Sequence, residues 1–387
     1  MRKSISILGS TGSVGINTLK IISKKKKYFK PLIFSANKNF KLISNQIIKF
    51  NPVYFVINDK KTFLKVSKKF KNKKVKILNN YNNINSKFIS NITISAIPGI
   101  AGLLPILRLL KFSDKILLAN KEAIICGWDL IKKKARKHKT KIIPIDSEHY
   151  SILKLLDNHK IEDIKKIYIT ASGGPFLNFS SNQLKNVKLK DALKHPKWKM
   201  GKKITIDSST LMNKTFEVIE AQKIFNLPLN FIDILIHPNS LVHAILELKN
   251  GLKKFIYHDT SMIIPLANAI FDGQLIIDDF YKDKKKLEVE NLIFNKVDKK
   301  KFPSVKLIKL MNQFPSAPII VNASNEILVD HFLNKKIQFL DINKIIMGVL
   351  KDGNFKRNAI KKPKNIKQIY QVDNWARAKT FEKIKKL

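Results

Sequence analysis

The sequence predicts an α/β protein whose first part is a Rossmann-like, doubly wound parallel sheet, followed by a central α/β catalytic domain and a C-terminal helical domain. Two features of the 387-residue chain predict this class. Short apolar segments alternate with segments of helical period through residues 1–146, which is typical of a parallel sheet. A glycine-rich stretch stands directly after the first apolar segment, which fits a turn from a buried strand into a helix.

The first domain, residues 1–146, is predicted to hold strands that are joined by helices. Strands are expected at 4–8, 31–36, 53–58, 75–78, 92–97, 115–119 and 141–146. Helices are expected from the glycine-rich turn to about residue 22, at 40–50 and at 103–110.

The second domain, residues 147–280, continues the α/β pattern. Strands are expected at 166–171, 231–236 and 241–248, and a helix is expected to start near Ser209. Residues 281–302 are charged and are interpreted as a linker. Helical periodicity returns at 324–335 and 341–353, so residues 303–387 are predicted to form the C-terminal helical domain.

The formal net charge of +45 raises the question of nucleic-acid binding. Only five of the 74 basic residues are arginine, the side chain that base-edge recognition favours, and the lysines are spread along the whole chain. An RNA-binding protein, the alternative from another class, needs stacking aromatic residues beside basic ones, and the sequence has no such run. We therefore expect no specific nucleic-acid partner, although the charge should attract small anionic substrates.

Cysteine content and hydropathy favour a cytoplasmic protein. The single cysteine, Cys126, excludes a disulfide within the chain and a cysteine-based zinc site. No apolar run reaches the ~18 residues that span a bilayer, and the amino terminus runs into a strand pattern without a signal-peptide core. We expect no membrane partner.

A glycine turn formed by Gly9, Gly12 and Gly15 lies between the first predicted strand and helix. Glycine lets the backbone approach a phosphate, whose charge then meets the helix amino terminus. This predicts a dinucleotide site; the alternative is a glycine-rich turn without a ligand. An NAD site usually has a carboxylate after the second strand, but no acidic residue precedes Asp59, and Lys38 stands there to meet a 2′-phosphate. The predicted cofactor is therefore NADPH.

Two carboxylates follow the strand predicted at 141–146. Asp146 and Glu148 stand two residues apart, so in an extended chain both side chains point to the same face. Carboxylate oxygens suit a hard divalent cation such as Mg²⁺ or Mn²⁺. The alternative is a strand-end turn in which these residues only cap a helix.

A third carboxylate lies on the next predicted helix. Asn213, Lys214 and Glu217 fall on one face of that helix, and Asp207 or Ser208 is expected to cap it. A polar face beside a serine-rich helix start suits a phosphate and a metal. A solvated ion pair between Lys214 and Glu217 is the alternative.

Two loops complete the candidate site. The loop from Ser172 to Pro175 follows a strand and offers backbone amides to an anion. Residues 192–202, which include Trp198 and Met200, are predicted to form a lid that excludes water. Alternatively, Trp198 packs this loop onto the core.

Seven segments occur together in a characteristic order. They are GSTGSVG (9–15), LLANKE (117–122), IDSEH (145–149), ASGGPF (171–176), HPKWKMG (195–201), DSSTLMNKTFEVIEA (207–221) and IHPNSLVH (236–243). This set resembles the 1-deoxy-D-xylulose 5-phosphate reductoisomerase family, strongly over residues 4–270 and more weakly over the helical tail. The resemblance implies conversion of that sugar phosphate to 2-C-methyl-D-erythritol 4-phosphate by a homodimer that uses NADPH and one divalent cation, Mg²⁺, Mn²⁺ or Co²⁺.

The resemblance also implies a role for each matching residue. The metal ligands would be Asp146, Glu148 and Glu217. The NADPH contacts would be Thr11, Gly12, Ser13, Val14, Asn37, Lys38, Asn39, Asn120, Glu122 and Gly201. The substrate would be held by Lys121, Ser147, Glu148, Ser172, His195, Ser208, Asn213, Lys214 and Glu217, with Trp198 and Met200 on the lid and His243 and Met262 lining the site. The catalytic set would be Lys121, Asp146, Glu148, His195 and Glu217.

Two positions depart from the family pattern. Asn37 stands where a glycine is usual, and Pro98 removes one amide donor. A simple NADP-dependent sugar-phosphate dehydrogenase is the alternative function, and metal dependence separates it from the reductoisomerase. A catalytically inactive homologue is a third alternative, against which the intact carboxylates argue.

Overall fold

The computed structural model describes residues 2–84, 89–198, 200–282 and 291–387. Lys199 of the predicted lid and residues 283–290 of the predicted linker lie outside the described residues. The chain forms two units, one of Met1–Ala123, Asp129–Tyr150 and Ser261–Lys286, the other of Ile124–Trp128, Ser151–Thr260 and Leu287–Leu387. The domain boundaries predicted from the sequence stay a prediction.

The strands and helices are labelled in chain order. The strands are β1 (Lys3–Leu8), β2 (Phe29–Ala36), β3 (Tyr54–Ile57), β4 (Lys76–Leu78), β5 (Ser90–Ser95), β6 (Ser113–Leu118), β7 (Lys141–Pro144), β8 (Ile164–Ala171), β9 (Ile232–Ile236), β10 (Val242–Leu248), β11 (Lys253–Tyr257) and β12 (Asn295–Lys296). The helices are α1 (Ser13–Lys24), α2 (Phe40–Phe50), α3 (Lys60–Lys69), α4 (Leu103–Leu109), α5 (Lys121–His138), α6 (Ser147–Leu156), α7 (Ser181–Lys185), α8 (Leu189–Ala192), α9 (Lys202–Ser209), α10 (Met212–Phe225), α11 (Ile263–Phe271), α12 (Leu307–Gln313), α13 (Ala317–Leu333), α14 (Phe339–Leu350), α15 (Phe355–Ala359) and α16 (Ile366–Ile384).

The first unit is built on a parallel sheet of strand order β4-β3-β2-β1-β5-β6-β7. The chain leaves β1 toward β2 on one side and later places β5 on the other side. This reversal is a topological switch point, where open α/β sheets bind ligands at the carboxyl ends of their strands. The predicted doubly wound parallel sheet is confirmed, and the predicted strand ends agree with the structure to within two residues.

Apolar side chains on both faces of the central strands explain this sheet. In β1, Ile5, Ile7 and Leu8 are all 0 % exposed, and the residues of β3 are buried as well. A strand that is apolar on both faces is stable only where helices cover the sheet on either side. The crossover helices of the alternating pattern provide that cover.

The second unit contains a mixed sheet of strand order β11-β10-β8-β9-β12. β8 and β9 are parallel, whereas the other neighbouring pairs are antiparallel. Asn295–Lys296, which lie within the predicted linker, form the edge strand β12. Helices α12 to α16 follow and confirm the predicted helical C-terminal region.

A partly buried ion network links two of the C-terminal helices. The guanidinium of Arg377 in α16 donates to Asp373 at 2.6 Å and also binds Glu326 of α13. Burial raises the pKa of Asp373, and Arg377 opposes that effect. The arginine therefore bridges two helices that are distant in sequence. None of the described helices is both long and apolar enough to cross a bilayer.

We predict that Gly15→Ala destabilises the first unit. An added Cβ would clash with the carbonyl oxygen of Gly9 and lie 2.6 Å from the Cα of Ser10. Because both are backbone atoms that must shift, the free energy of unfolding should fall by ~1–3 kcal/mol. Gly12→Ala is the matched control, since its Cβ would meet nothing closer than 3.4 Å. Urea unfolding measures both, and equal losses would contradict the prediction.

Candidate active site

The turn after β1 requires glycine at its first position. Gly9 has a φ of 83°, and a Cβ there would lie 2.7 Å from the carbonyl oxygen of Ala96. The amides of Gly9 and Ser10 donate to the carbonyl oxygen of Ser35 at 3.1 and 2.8 Å. The turn is therefore held against the ends of two neighbouring strands, which brings its backbone to the switch point of the sheet.

The amino terminus of α1 is available to an anion. Gly12 is its N-cap residue, and within the described chain no side chain caps the helix or adds an acidic charge to its first turn. Gly12 and Ser13 are exposed. Free amides at the positive end of a helix fit a phosphate or pyrophosphate.

The segment after β2 is exposed and basic. Asn37, Lys38 and Asn39 all lie at the surface, and Asn37 is not among the residues with positive φ, so a glycine is not needed there. The first acidic residue, Asp59, caps α3 by accepting from the amide and hydroxyl of Thr62 at 2.9 and 2.8 Å. These bonds lower the pKa of Asp59. The Asp59 carboxylate is therefore bonded to Thr62, and Lys38 is the charged side chain that a 2′-phosphate would meet.

Asn120 holds the loop after β5 in place. Its side-chain oxygen accepts from the amide of Ala123 at 2.7 Å and so caps α5. Its side-chain nitrogen donates to the carbonyl oxygens of Gly99, at 2.9 Å, and of Ile97. Because the side chain is occupied by the protein, its predicted contact with the cofactor would use the backbone. The neighbouring Glu122 is 7 % exposed, in the first turn of α5.

The two carboxylates near residue 147 do not lie in extended chain, so that part of the prediction is wrong. β7 ends at Pro144 and α6 begins at Ser147, so Glu148 belongs to the first turn of a helix. Its oxygen accepts from the hydroxyl of Ser147 at 2.6 Å, and Glu148 is 8 % exposed. Asp146 binds the Lys121 ammonium at 2.7 Å. A carboxylate in the first turn of a helix, as Glu148 is, is stabilised by the helix dipole.

The polar helix of the sequence analysis is in fact two helices. Asp207 and Ser208 lie in the last turn of α9, so neither caps α10, and the predicted cap is wrong. Leu211 joins the helices with φ 57° and ψ 13°, a left-handed conformation that costs a side chain with a Cβ ~1–2 kcal/mol. Thr210 contributes by accepting from the amide of Met212 at 3.3 Å.

A buried carboxylate anchors this junction. Asp207 is 2 % exposed, and it binds the Lys203 ammonium at 2.9 Å and accepts from the Asn325 amide at 2.8 Å. Asn325 lies on α13, far along the chain, and sequence reasoning missed it because an asparagine inside an apolar helix gives no signal of its partner. The C-terminal helices thereby help to fix the position of Ser208.

The ion pair on α10 is buried, which contradicts the alternative of a solvated pair. Lys214 binds Glu217 at 2.7 Å, and Glu217 also accepts from the Asn213 amide. Glu217 is 0 % exposed and Lys214 is 7 % exposed. Burying a charge is costly unless opposite charge and hydrogen bonds compensate, so these three residues form one electrostatic unit. Glu220 on the same helix is also buried, at 1 %.

The loop after β8 brings Ser172 close to α9. Gly174 has a φ of 67°, and a Cβ there would lie 2.9 Å from the carbonyl oxygen of Ser208. The Ser172 hydroxyl oxygen accepts from the amide of Gly174 at 3.1 Å and lies 3.0 Å from Nε2 of His195. Ser172 also borders a cavity of about 600 Å³ that is lined as well by Lys194, Pro196 and Lys197 of the loop 192–202.

The hydrogen bonds of His195 define its tautomer. Its Nδ1 lies 2.8 Å from the amide of Trp198 and 3.2 Å from that of Lys197. Since amides only donate, Nδ1 must accept, and the proton of the neutral ring is on Nε2. Nε2 therefore donates to Ser172, whose oxygen then accepts two bonds and keeps its own proton for another acceptor. Burial, and next the charge of Lys214, lower the pKa of His195 from 6.5 to about 4.

The loop that is predicted to act as a lid, residues 192–202, connects α8 to α9. Within it, Trp198 is half-buried and meets the His243 ring edge-on, with 5.9 Å between ring centroids. The indole thus contacts a predicted site residue. Met200 is half-buried too, and Gly201 is the exposed N-cap residue of α9.

The predicted site residues are distributed over both units. The first unit carries the candidate cofactor residues other than Gly201, together with Lys121, Asp146, Ser147, Glu148 and Met262, the N-cap residue of α11. The second unit carries Ser172, His195, Trp198, Met200, Gly201, Ser208, Asn213, Lys214, Glu217 and His243. Within the second unit, the structure brings the candidate phosphate ligands together around the loop after β8 and the α9–α10 junction.

Three family models match consecutive parts of the chain. A model of 1-deoxy-D-xylulose 5-phosphate reductoisomerase matches residues 5–127, a model of its C-terminal domain matches residues 142–225, and a DXP reductoisomerase C-terminal domain matches residues 259–379. Curated relatives agree. The 1-deoxy-D-xylulose 5-phosphate reductoisomerase of Pelagibacter ubique is 45% identical over 97% of this chain and 98% of its own length.

Solved structures extend the likeness to the fold. A DOX-P reductoisomerase in complex with NADPH, fosmidomycin and magnesium is 32% identical, with a TM-score of 0.91 over 99% of this chain and 98% of its own. The Zymomonas mobilis enzyme in complex with NADPH is 28% identical, with a TM-score of 0.89 over 100% of both chains. Since identity and fold agree over nearly the full length, the chain belongs to the 1-deoxy-D-xylulose 5-phosphate reductoisomerase family.

Proposed function

We propose that the protein converts 1-deoxy-D-xylulose 5-phosphate to 2-C-methyl-D-erythritol 4-phosphate with NADPH and one divalent cation. Family membership supports the reaction, and one observation from the geometry carries it. Glu217 is fully buried beside Lys214 and Asn213, on the helix that directly follows Ser208. A buried carboxylate next to a candidate phosphate site suits an enzyme that holds an anionic substrate against a cation.

The donor chemistry fits a hard cation. Asp146 and Glu148 of the first unit and Glu217 of the second offer only carboxylate oxygens, which Mg²⁺ and Mn²⁺ prefer. Asp146 and Glu217 already need neutralisation, which Lys121 and Lys214 supply. When bound, the cation would polarise the carbonyl of the sugar phosphate and NADPH would provide hydride.

The residues of the first unit fit NADPH. The uncapped amino terminus of α1, at Gly12 and Ser13, suits the pyrophosphate. Lys38 follows β2, where a selective residue meets the 2′ position of the ribose. The proposed contacts with NADPH are completed by Thr11, Val14, Asn37, Asn39, Asn120, Glu122 and Gly201.

The second unit would hold the phosphate of the substrate. The Ser172 hydroxyl can donate to an anion because its oxygen already accepts from Gly174 and His195. Ser208, Asn213 and Lys214 lie at the neighbouring α9–α10 junction. His195 acts here as a neutral donor that orients Ser172. Trp198 and Met200 would cover the substrate and exclude water, with His243 and Met262 lining the site.

We further propose a cytoplasmic homodimer. The edge strand β11 and the turn before it expose Leu252, Phe255 and Tyr257 at 58, 48 and 41 %, and an apolar sheet edge favours pairing with a second copy. The proposed cation is Mg²⁺, Mn²⁺ or Co²⁺, each of which binds to oxygen ligands. Sedimentation gives the mass of the assembly, and a monomer would contradict the dimer.

NADPH should be strongly preferred over NADH, and Lys38→Asp should reverse part of that preference. A charge-assisted bond contributes ~1.5–3 kcal/mol, so kcat/KM for NADPH should fall at least roughly tenfold while that for NADH changes less. Lys30→Asp, at the opposite end of β2, controls for the change in net charge. Equal losses with both cofactors would show that Lys38 does not contact the 2′-phosphate.

Removing one charge from the proposed metal ligands should strongly reduce metal-dependent turnover. Glu217→Gln keeps the size of the side chain, so fold and NADPH binding should persist, while kcat/KM falls roughly a hundredfold or more and titration calorimetry detects weaker Mn²⁺ binding.

Glu162→Gln is the matched control, since Glu162 is exposed in the same unit. Glu220 is unsuitable for that purpose, because it is buried on the same helix. Full activity in the presence of a chelator would contradict the metal site and favour a simple sugar-phosphate dehydrogenase.

His195 should titrate near pH 4 in an NMR experiment. Its folded-state pKa of about 4 lies below the ordinary 6.5, so the unfolded chain binds the proton first as the pH falls. The stability that the neutral ring contributes is present above pH ~6.5 and is lost as the pH falls toward 4. Lys214→Gln removes a cation and should raise the midpoint. A wild-type midpoint at or above 6.5 would refute the assignment.

A further inference from the structure

A pair of stacked histidine rings lies beside the lid residue Trp198 in the second unit. The ring centroids of His243 and His258 are 3.9 Å apart with an interplanar angle of 26°. Trp198 meets the His243 ring edge-on at 5.9 Å. His243 thus contacts two rings. One belongs to Trp198, and the other belongs to His258, which has no role in the proposed function.

A β-bulge sets the direction of His243. In the pairing of β10 with β11, Val242 faces Tyr257 and Ala244 faces Ile256, so His243 is the extra residue of its strand. Bulges re-aim a side chain and are frequent next to active sites. The ring of His243 therefore owes its position to a break in the strand register.

Hydrogen bonds to the backbone hold both rings. Nε2 of His243 lies 3.2 Å from the carbonyl oxygen of His258, and Nδ1 of His258 lies 2.8 Å from that of Asp259. A carbonyl oxygen only accepts, so each of these nitrogens carries a proton. The amide of His258 also donates to the carbonyl oxygen of Leu241 at 3.0 Å, which ties the end of β11 to the start of β10.

We propose that His258 is a positioning residue for the sugar-phosphate substrate. Its ring stacks on the ring of His243 and so helps to hold the ring that Trp198 contacts. The inference rests on the proposed function, since it takes Trp198 and His243 to line the substrate site. Paired rings favour particular geometries, and losing such a pair changes binding roughly twofold to tenfold.

The test compares His258→Ala with His258→Phe in the full-length enzyme. His258→Ala removes the supporting ring, so KM for the sugar phosphate should rise roughly twofold to tenfold while kcat and the KM for NADPH stay unchanged. His258→Phe keeps a ring and should restore the substrate KM. A merely structural role would instead change the melting temperature and both KM values together.

A spectroscopic signal tests the contact itself. In a background of Trp128→Phe and Trp375→Phe, Trp198 is the remaining tryptophan. Its fluorescence should change when the sugar phosphate is added with NADPH, and the change should be smaller with His258→Ala and restored with His258→Phe. An identical response in all three proteins would overturn the proposal.

Two further variants separate this proposal from the site it depends on. His159→Ala is the matched control, because His159 is a half-buried histidine of the same unit that bonds to Lys254 at 2.9 Å and belongs to no proposed site. It should leave the substrate KM unchanged, and a rise equal to that of His258→Ala would overturn the inference. If His243→Ala raises KM but His258→Ala does not, the inference fails while the proposed function stands. If neither variant changes KM, the proposed substrate site is itself wrong.

Discussion

The arrangement of this site depends on keeping carboxylates buried beside lysines. Glu217 is 0 % exposed, and its charge is tolerable only because Lys214 and Asn213 bind it on the same helix. Asp207 follows the same rule with Lys203 and Asn325, and the half-buried Asp146 pairs with Lys121. Each pair fixes the backbone on which a proposed ligand-binding residue stands. Because an unpaired buried charge is costly, each of these contacts favours one arrangement of the residues that make it.

The need to neutralise buried carboxylates gives a few lysines a specific role, although the positive charge of the chain is spread over its whole length. The chain has 74 basic residues, of which five are arginine and 69 are lysine. Most of the lysines that the structure describes are exposed, and ion pairs at the surface contribute little to stability. The few that are buried decide the geometry, as Lys214 does both for Glu217 and for His195, whose pKa it helps to lower. The neutral His195 in turn donates to Ser172 and leaves that hydroxyl free to bind an anion.

Unusual backbone conformations also shape the candidate site. Gly9 and Gly174 bring loops to within van der Waals distance of neighbouring backbone, and Leu211 turns sharply between two helices despite its side chain. A bulge lies at His243, whose ring contacts that of Trp198. Such conformations cost free energy, and they persist because the surrounding packing leaves no alternative.

The sequence alone determined the α/β class, the order of the strands along the chain, the glycine turn and the identity of the family, because local periodicity and short motifs carry that information. It placed strand ends to within two residues. It misjudged the start of α10 and the extended conformation around Glu148, since a serine-rich or acidic stretch suits a helix end and a helix start equally well. Only the tertiary structure decided that the Lys214–Glu217 pair is buried, that Asn325 supports Asp207 and that His258 stacks on His243. These facts depend on burial and on contacts between residues far apart in the chain, which no local pattern encodes.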